Sequence, residues 1–322
     1  MLSEKTLQKI AKKVLKSTDI SGLGTKFQGK VRDCYNYSKQ RILITTDRIS
    51  AFDRVLGYIP YKGQVLNQLS TFWFDKTKDI IPNHIIAIPH PNAVIAKEAK
   101  PYTVEMVVRG YISGVTKTAL WHLYETGERL IYGLKFPEGL KKNQKLPTPV
   151  LTPTTKAEHG AHDERLSHEE ILSKKLVQPK ILRQMEKAAL SLYKRGNEIC
   201  QKRGLILVDT KYEFGEYQGK IILIDEIHTP DSSRFWRKDN YEERFQKGQE
   251  PENFDKEFFR LWYVKKGYRG DGKPPEMPVE LQVKTAKRYI KIYEMITGKK
   301  FQPTSYPLEI GIRDAVLKYL KN

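Results

Sequence analysis

The chain has 322 residues, of which 39% are hydrophobic and 30% are charged, and its formal net charge is +19. No apolar run approaches the roughly 18 residues that a membrane-spanning helix needs, which excludes an integral membrane protein. The excess lysines are scattered in short pairs, without a basic arm or a nucleic-acid-binding motif. This pattern favours a solvated basic surface. A site that attracts a small anionic substrate is the second interpretation, and a nucleic-acid partner is the third.

The first half of the chain is predicted to be rich in antiparallel strands. Residues 7–17, "LQKIAKKVLKS", have helical spacing, and the lack of Arg favours a surface helix over a transit peptide. Residues 29–50 predict a β-hairpin whose polar turn lies at Ser38–Gln40. A helix over 63–77 and strands at 84–89 and 103–114 follow.

The second half is predicted to be mixed. Residues 117 to about 155 are loop-rich, residues 168–203 have helical periodicity, and helices over 279–297 and 308–321 end the chain. We therefore expect an α+β fold of two lobes, residues 1–115 and 116–322. The only two cysteines, Cys34 and Cys200, lack metal-ligand spacing, which fits a reducing compartment and predicts a cytoplasmic protein.

Charged residues interrupt two strand-like runs, "ILVDTKYEFG" at 206–215 and "IILID" at 221–225. Alternation along the first run places Asp209, Lys211 and Glu213 on one face, and on the other Val208, Thr210, Tyr212 and Phe214. If Tyr217 and Gln218 form the turn, Lys211 lies opposite Asp225, and Glu213 lies one diagonal away. The carboxylates then suit either Mg²⁺ carrying phosphates or a solvated strand face with a cross-strand ion pair.

Residues 24–31, "GTKFQGKV", match only part of a phosphate-binding loop. Val31 stands where that motif needs Ser or Thr, and a strand follows instead of a helix. Gly29, Lys30 and Arg32 are instead placed to cover phosphates from a hairpin, as in kinase-like lobes.

Other polar clusters follow predicted strands. Asp47, Ser50 and Asp53 form either a site or a capped turn, and the sequence leaves both open. Lys156 precedes His159 and His162, whose spacing without a third ligand favours solvated histidines over a metal site. Arginines beside glycine or serine suit a phosphate or carboxylate, and the candidates are Arg109 with Ser113, Arg234 with Ser233, and Arg260.

The motifs "GKVRD", "TDRISAFD", "VVRGYISG", "TPTTKAEHGAHDE", "ILVDTKYEFG" and "DEIHTPDSSRFW" occur in this order. From about residue 22 to the C-terminal helices the chain resembles the SAICAR synthetase (phosphoribosylaminoimidazole-succinocarboxamide synthase) family. The resemblance implies a fold related to ATP-grasp enzymes, with a kinase-like hairpin in the first lobe. It also implies an ATP- and Mg²⁺-dependent ligase of purine biosynthesis, which joins L-aspartate to carboxyaminoimidazole ribonucleotide (CAIR) through an acyl phosphate.

The resemblance also implies roles for particular residues. Those expected to bind ATP are Gly29, Lys30, Arg32 and Lys156, while Glu213 and Asp225 are expected to bind Mg²⁺ and to act in catalysis with Lys211. Those expected to bind the substrates are Asp47, Ser50, Asp53, Arg109, Ser113, Asp209, Ser233, Arg234 and Arg260.

One position departs from the family pattern. Val115 stands where some members have Ser, so Ser113 or Thr116 is expected to supply that hydroxyl. The alternative function is a kinase or ligase that acts on another small anionic acceptor. We expect a monomer or weak homo-oligomer with small-molecule substrates only.

Overall fold

The computed structural model describes residues 2–156 and 164–321. His159 and His162 therefore lie outside the described residues. The helices are α1 (Glu4–Ala11), α2 (Lys62–Thr77), α3 (Leu120–Glu125), α4 (His168–Ser173), α5 (Pro179–Lys202), α6 (Tyr241–Gln246), α7 (Glu257–Lys265), α8 (Val279–Thr297) and α9 (Glu309–Lys321). Within these described ranges, none of the helices is long and apolar enough to cross a membrane.

The strands are short, apart from one long strand in the second half of the chain. They are β1 (Thr25–Gln28), β2 (Arg32–Tyr37), β3 (Gln40–Thr45), β4 (Arg48–Ala51), β5 (Arg54–Tyr58), β6 (Ile85–His90), β7 (Ala93–Lys97), β8 (Lys100–Pro101), β9 (Val104–Tyr111), β10 (Leu130–Ile131), β11 (Leu134–Lys135), β12 (Lys145–Leu151), β13 (Thr154–Thr155), β14 (Leu205–Tyr217), β15 (Lys220–Ile224) and β16 (Ser233–Arg237).

A five-stranded antiparallel sheet forms the first part of the molecule, in the order β1-β2-β3-β7-β6. The predicted hairpin is confirmed as β2 and β3, whose last pair joins Tyr37 to Gln40. One face of this sheet packs against α9, because Ile42 and Ile95 share a buried cluster with Ile312 and Val316. The last helix of the chain therefore covers its first sheet.

A seven-stranded sheet is built around the long strand β14, which pairs with β9, β15, β16 and β8. Strand β9 precedes residue 115 in the chain, yet it lies in this second sheet beside β14. The main hydrophobic core lies behind β14, where Tyr212 and Phe214 share one buried cluster with residues of α2, α5 and α8.

The predicted alternation along β14 is wrong at Val208. A β-bulge between Leu207 and Asp209 shifts the pairing with β16 and therefore changes which face the following residues take. Leu207 shares the main core with Tyr212, whereas Val208 packs with Tyr111 and Trp236 in a separate cluster.

The predicted register of the β14–β15 hairpin is also wrong. Tyr217 pairs with Lys220, so the two turn residues are Gln218 and Gly219, with φ of 52° and 73°. A two-residue turn with positive φ at both positions matches the twist of the strands and favours Gly. Glu213 consequently pairs with Ile224, and Asp225 lies just beyond the end of β15 instead of opposite Lys211.

A buried carboxylate joins three distant segments behind the first sheet. Asp47 accepts hydrogen bonds from the backbone N–H of Leu15 (2.8 Å), the backbone N–H of Gly63 (3.1 Å) and the hydroxyl of Tyr306 (2.7 Å). A side chain at Gly63 would not fit, since its Cβ would lie 2.2 Å from the carbonyl oxygen of Thr45. These contacts give Asp47 a structural role at the start of α2.

We expect Tyr306→Phe to lower the free energy of unfolding by about 2 kcal/mol, because the hydroxyl hydrogen-bonds a buried carboxylate. The same hydroxyl also accepts a hydrogen bond from the N–H of Tyr61 at 3.0 Å. Urea unfolding followed by circular dichroism measures the change. Tyr319→Phe, at a partly buried position of α9, is the matched control, and equal losses in both variants would contradict the role of the hydroxyl.

Candidate active site

The charged face of β14 begins with an ionic cluster around Glu213. Its carboxylate accepts hydrogen bonds from Lys156 (2.5 Å) and Lys211 (2.9 Å), and Lys211 also contacts Glu105 (2.5 Å). The Glu213 side chain is only 9% exposed, whereas Lys211 is 34% exposed. Lys211 and Glu213 share one face of the strand, as predicted. The structure brings Lys156, which is distant in the sequence, into contact with Glu213.

The protonation states in this cluster follow from its geometry. Burial alone would raise the pKa of Glu213, but the ammonium groups of Lys211 and Lys156 outweigh burial and hold it below its ordinary value. Burial would likewise lower the pKa of Lys211, yet Glu213, Glu105 and Asp225 raise it well above its ordinary value. At neutral pH Glu213 is therefore ionised, and Lys156 and Lys211 are protonated.

A second part of the cluster connects the two sheets. Arg32 of β2 donates to Asp225 at 2.6 Å and to Glu226 at 2.7 Å, just past the end of β15. Asp225 has a φ of 65°, and its side chain is 30% exposed. Its charge also raises the pKa of Lys156 and Lys211, although burial opposes both shifts. Asp225 and Glu213 therefore belong to one electrostatic cluster.

The carboxylates of this cluster are candidate ligands for a metal ion. Within residues 2–156 and 164–321, no group of three or more His, Cys, Asp or Glu side chains is placed to hold a metal. Mg²⁺, however, commonly binds through one or two carboxylates and takes its other ligands from substrate phosphates and water. The carboxylates of Glu213 and Asp225, surrounded by cations, therefore fit a Mg²⁺ ion that arrives with a polyphosphate.

The β1–β2 turn lies near a second hairpin, β4–β5. The N–H of Gly29 donates to the carbonyl oxygen of Arg32 at 2.8 Å, and Lys30 forms an ion pair with Asp53 at 2.5 Å. Asp53 has a φ of 61° and lies in the β4–β5 turn, while Ser50 is buried in β4. Of Asp47, Ser50 and Asp53, only Asp53 has a substantially exposed side chain.

A second cluster, which is rich in arginine, surrounds Asp209 at the other end of the charged face. Asp209 pairs in the sheet with Arg109 on one side and with Arg234 on the other. Its Oδ2 atom accepts from both guanidinium groups, at 3.3 Å from Arg109 and 2.6 Å from Arg234. Glu257 extends the cluster, because it accepts from Arg260 at 3.0 Å and lies 3.6 Å from Arg234.

A small pocket opens beside this arginine cluster. Its lining includes Ser113, Gly114, Val115 and Arg234. Gly114 has a φ of 95°, and a Cβ there would lie 2.8 Å from the Arg234 guanidinium, so glycine permits the close approach. The hydroxyl of Ser113 donates to Asn143 at 2.9 Å. Ser233 is buried, and its hydroxyl donates to Thr210 at 2.8 Å.

The sequence analysis did not predict several charged residues that lie near these clusters. Glu105 lies four positions before Arg109 on β9, which places both on one strand face, so alternation was the available signal. Glu226 directly follows Asp225, and Glu257 lies one turn before Arg260. Buried Lys62 and Asp231 gave no local signal, because a charged residue in a helical pattern or a turn is ordinarily solvated.

The fold and these clusters define an enzyme for anionic substrates, with grouped lysines, arginines and carboxylates along one strand. A family model described as SAICAR synthetase matches residues 25–275. The chain belongs to the SAICAR synthetase family, which confirms the resemblance, and its antiparallel sheets with surrounding helices confirm the expected α+β class.

Named relatives agree with this family. Phosphoribosylaminoimidazole-succinocarboxamide synthase of Legionella pneumophila (strain Lens) is 54% identical over 293 residues, which cover 90% of this chain and 93% of that protein. The synthase of Bacteroides fragilis (strain YCH46) is 50% identical over 295 residues, covering 90% and 93%. The structure of SAICAR synthase from Saccharomyces cerevisiae complexed with SAICAR has a TM-score of 0.76 at 32% identity, covering 89% of this chain and 99% of that chain.

We expect Asp209→Ala to lower the free energy of unfolding by about 3–5 kcal/mol, because it leaves two buried guanidinium groups without their shared carboxylate. Urea unfolding measures the loss. The control is Asp239→Ala, which removes an exposed ion pair with Arg237 and should cost less than about 1 kcal/mol. A loss at Asp209 no greater than the control would show that the arginines do not depend on this carboxylate.

Proposed function

We propose that this protein is an ATP-dependent ligase that joins L-aspartate to CAIR and forms SAICAR, ADP and phosphate. The observation that supports it best is the placement of a lysine–carboxylate cluster and an arginine–carboxylate cluster on the same strand, β14, in a member of the SAICAR synthetase family. The first cluster suits a metal-bound polyphosphate and the second suits a ribonucleotide phosphate. Both substrates would then meet along one strand face.

The chemistry requires activation of a carboxylate. Direct attack by an amine would expel oxide, so the CAIR carboxylate first takes the γ-phosphoryl group of ATP and becomes an acyl phosphate. The amine of aspartate then attacks the acyl carbon, and phosphate leaves with the C–O electron pair. Phosphoryl transfer of this kind depends on positioning and charge neutralisation, so no protein nucleophile is needed.

The nucleotide phosphates are assigned to the Glu213 cluster. Lys156 and Lys211 supply protonated ammonium groups there, Arg32 holds Asp225 in place, and Gly29 and Lys30 form the turn above. Mg²⁺ bound through Glu213 and Asp225 would neutralise charge on the transferred phosphoryl group. On this proposal, Lys211 is the residue between the nucleotide and the ribonucleotide, since it lies between Glu213 and Asp209 on β14.

The adenine base is assigned to the junction of the two sheets. Leu43, Val94 and Ala96 form an apolar cluster on the five-stranded sheet. Ala99 and Ile224 belong to a second, separate cluster beside β15. The chain passes from the first sheet to the second through residues 97–100, next to both clusters. Two apolar surfaces on either side of a connecting segment suit a flat aromatic base.

The ribonucleotide is assigned to the Asp209 cluster. Arg109, Arg234 and Arg260 would hold its phosphate, and Asp209 would orient the arginines and reach the ribose. Ser113 and Ser233 would contact the ribonucleotide only if their hydroxyls turned away from Asn143 and Thr210. We retain Asp53 and Ser50 as substrate contacts. The contact of Asp47 with substrate stays a prediction beside its structural role.

Other aspects of the protein also stay predictions. These are the lobes at 1–115 and 116–322, the relationship to ATP-grasp enzymes, a monomer or weak homo-oligomer, the lack of a nucleic-acid partner and a cytoplasmic location. Both described cysteines, Cys34 and Cys200, are free thiols, in keeping with a reducing compartment.

A coupled assay of ADP release tests the proposed function, with ATP, Mg²⁺, CAIR and L-aspartate each omitted in turn. We expect sustained ADP release only with the complete mixture, and SAICAR as the product by mass spectrometry. A complete mixture that releases no more ADP than the mixture without CAIR and aspartate would instead favour a kinase or ligase with another anionic acceptor.

We expect Glu213→Gln to lower kcat by at least about a hundredfold with the fold intact, since an amide neither binds Mg²⁺ well nor balances two ammonium groups. Asp225→Asn should behave similarly. The control is Glu216→Gln, an exposed position on the same strand, which should retain normal turnover. Near-normal turnover of Glu213→Gln would remove this carboxylate from the phosphate site.

A further inference from the structure

A group of buried charges lies outside the roles assigned above. The carboxylate of Asp231 forms ion pairs with Lys62 at 2.9 Å and with Lys256 at 3.4 Å, both through Oδ2. Its Oδ1 accepts a hydrogen bond from Tyr289 at 2.7 Å. The Lys62 side chain is 0% exposed, whereas Lys256 keeps 11% of its side chain exposed. Only Lys256 of the two lysines can therefore reach a ligand.

Lys256 lies where the two substrate clusters adjoin. It precedes α7, and its carbonyl oxygen accepts from the N–H of Arg260 one turn later, so both side chains lie on the same side of the helix. Its own N–H donates to the carbonyl oxygen of Pro230 at 3.1 Å, in the segment that continues from Glu226, the partner of Arg32. Lys256 thus lies between the arginine cluster and the end of β15.

The charge of Lys256 is only partly balanced by its described contacts. Asp231 is shared between two ammonium groups and lies closer to Lys62 than to Lys256. Like charges four residues apart on a helix repel each other, as Lys256 and Arg260 do here. Burial, together with the charges of Arg260 and Lys62, lowers the pKa of Lys256 to about 8. An anion placed beside Lys256 would relieve this repulsion.

The other two substrates already have cations elsewhere. On the proposed function, ATP is held by the lysines around Glu213, and the ribonucleotide phosphate is held by the arginines around Asp209. The remaining substrate, L-aspartate, carries two carboxylates and must bring its amine to the acyl carbon between those two sites. Aspartate therefore needs a partly exposed cation at the junction of the two clusters.

We propose that Lys256, held by Asp231 and next to Arg260, binds a carboxylate of L-aspartate and so positions its amine for attack. This inference rests on the proposed function. Lys256 acts as a substrate-binding residue, and Asp231, with Lys62 and Tyr289, acts as a positioning residue that fixes the ammonium group. The ammonium group forms charge-assisted hydrogen bonds to the carboxylate and takes no part in bond making or breaking.

Steady-state kinetics of Lys256→Met test this assignment. We expect the KM for L-aspartate to rise about ten- to a hundredfold, the loss of one charge-assisted hydrogen bond, with KM values for ATP and CAIR within about threefold of wild type. Lys256→Arg should recover part of the affinity, because it keeps the charge. Lys265→Met, at an exposed position of the same helix, should match the wild type.

Succinate, a dicarboxylate without the amine, provides a second readout as a competitive inhibitor against aspartate. Its inhibition constant should rise in Lys256→Met by a factor similar to the rise in KM. An unchanged KM for aspartate, or an increase confined to CAIR, would overturn the proposal while leaving the ligase function intact. Unchanged succinate inhibition would show that Lys256 does not bind a carboxylate. Lack of aspartate-dependent turnover in the wild-type protein would instead refute the proposed function itself.

Discussion

Ionised side chains are costly to bury unless each one meets an opposite charge or a hydrogen-bond partner. Strand β14 carries Asp209, Lys211 and Glu213 on one face of a largely buried, central strand. Two neighbouring strands supply compensating groups: Arg109 and Glu105 come from β9, and Arg234 comes from β16. The order of the strands in the second sheet therefore also determines the order of charges in the site.

The same requirement connects the two sheets. Arg32 lies on the five-stranded sheet, but its partners, Asp225 and Glu226, follow β15 of the other sheet. The C-terminal segment adds a second connection, since α8 packs in the main core while α9 packs on the first sheet. Between these helices, Tyr306 reaches the buried carboxylate of Asp47. The ion pairs of Arg32 and the packing of the C-terminal segment thus hold the two sheets together around the site.

The separation of charges along β14 also separates the substrates in the proposed reaction. Lysines and carboxylates surround Glu213, where a metal-bound polyphosphate is expected, and arginines surround Asp209, where a single phosphate is expected. Guanidinium groups suit bidentate contacts with phosphate, whereas ammonium groups act as point charges that follow a moving phosphoryl group. The third group of charges, around Asp231, lies beside both and is the natural place for the remaining acidic substrate.

Much of the fold and of the candidate site could be predicted from the sequence, because periodicity and turn chemistry act locally. The β2–β3 hairpin, helix α2, helix α8 and the charged face of β14 follow from residues near each other in the chain, and the ordered motifs identified the family. The bulge at Leu207 and the turn at Gln218–Gly219 were missed, because each depends on a single residue of register that alternation does not determine.

The sequence by itself determined the kinds of charge in the site and the strand that carries them. Only the tertiary structure decided which charges meet: Arg32 with Asp225, Asp209 with two arginines, and Asp231 with Lys62 and Lys256. The physical reason is that partners for a buried charge are selected by packing between distant segments. In a single sequence, a lysine that will be fully buried looks the same as one that will be solvated.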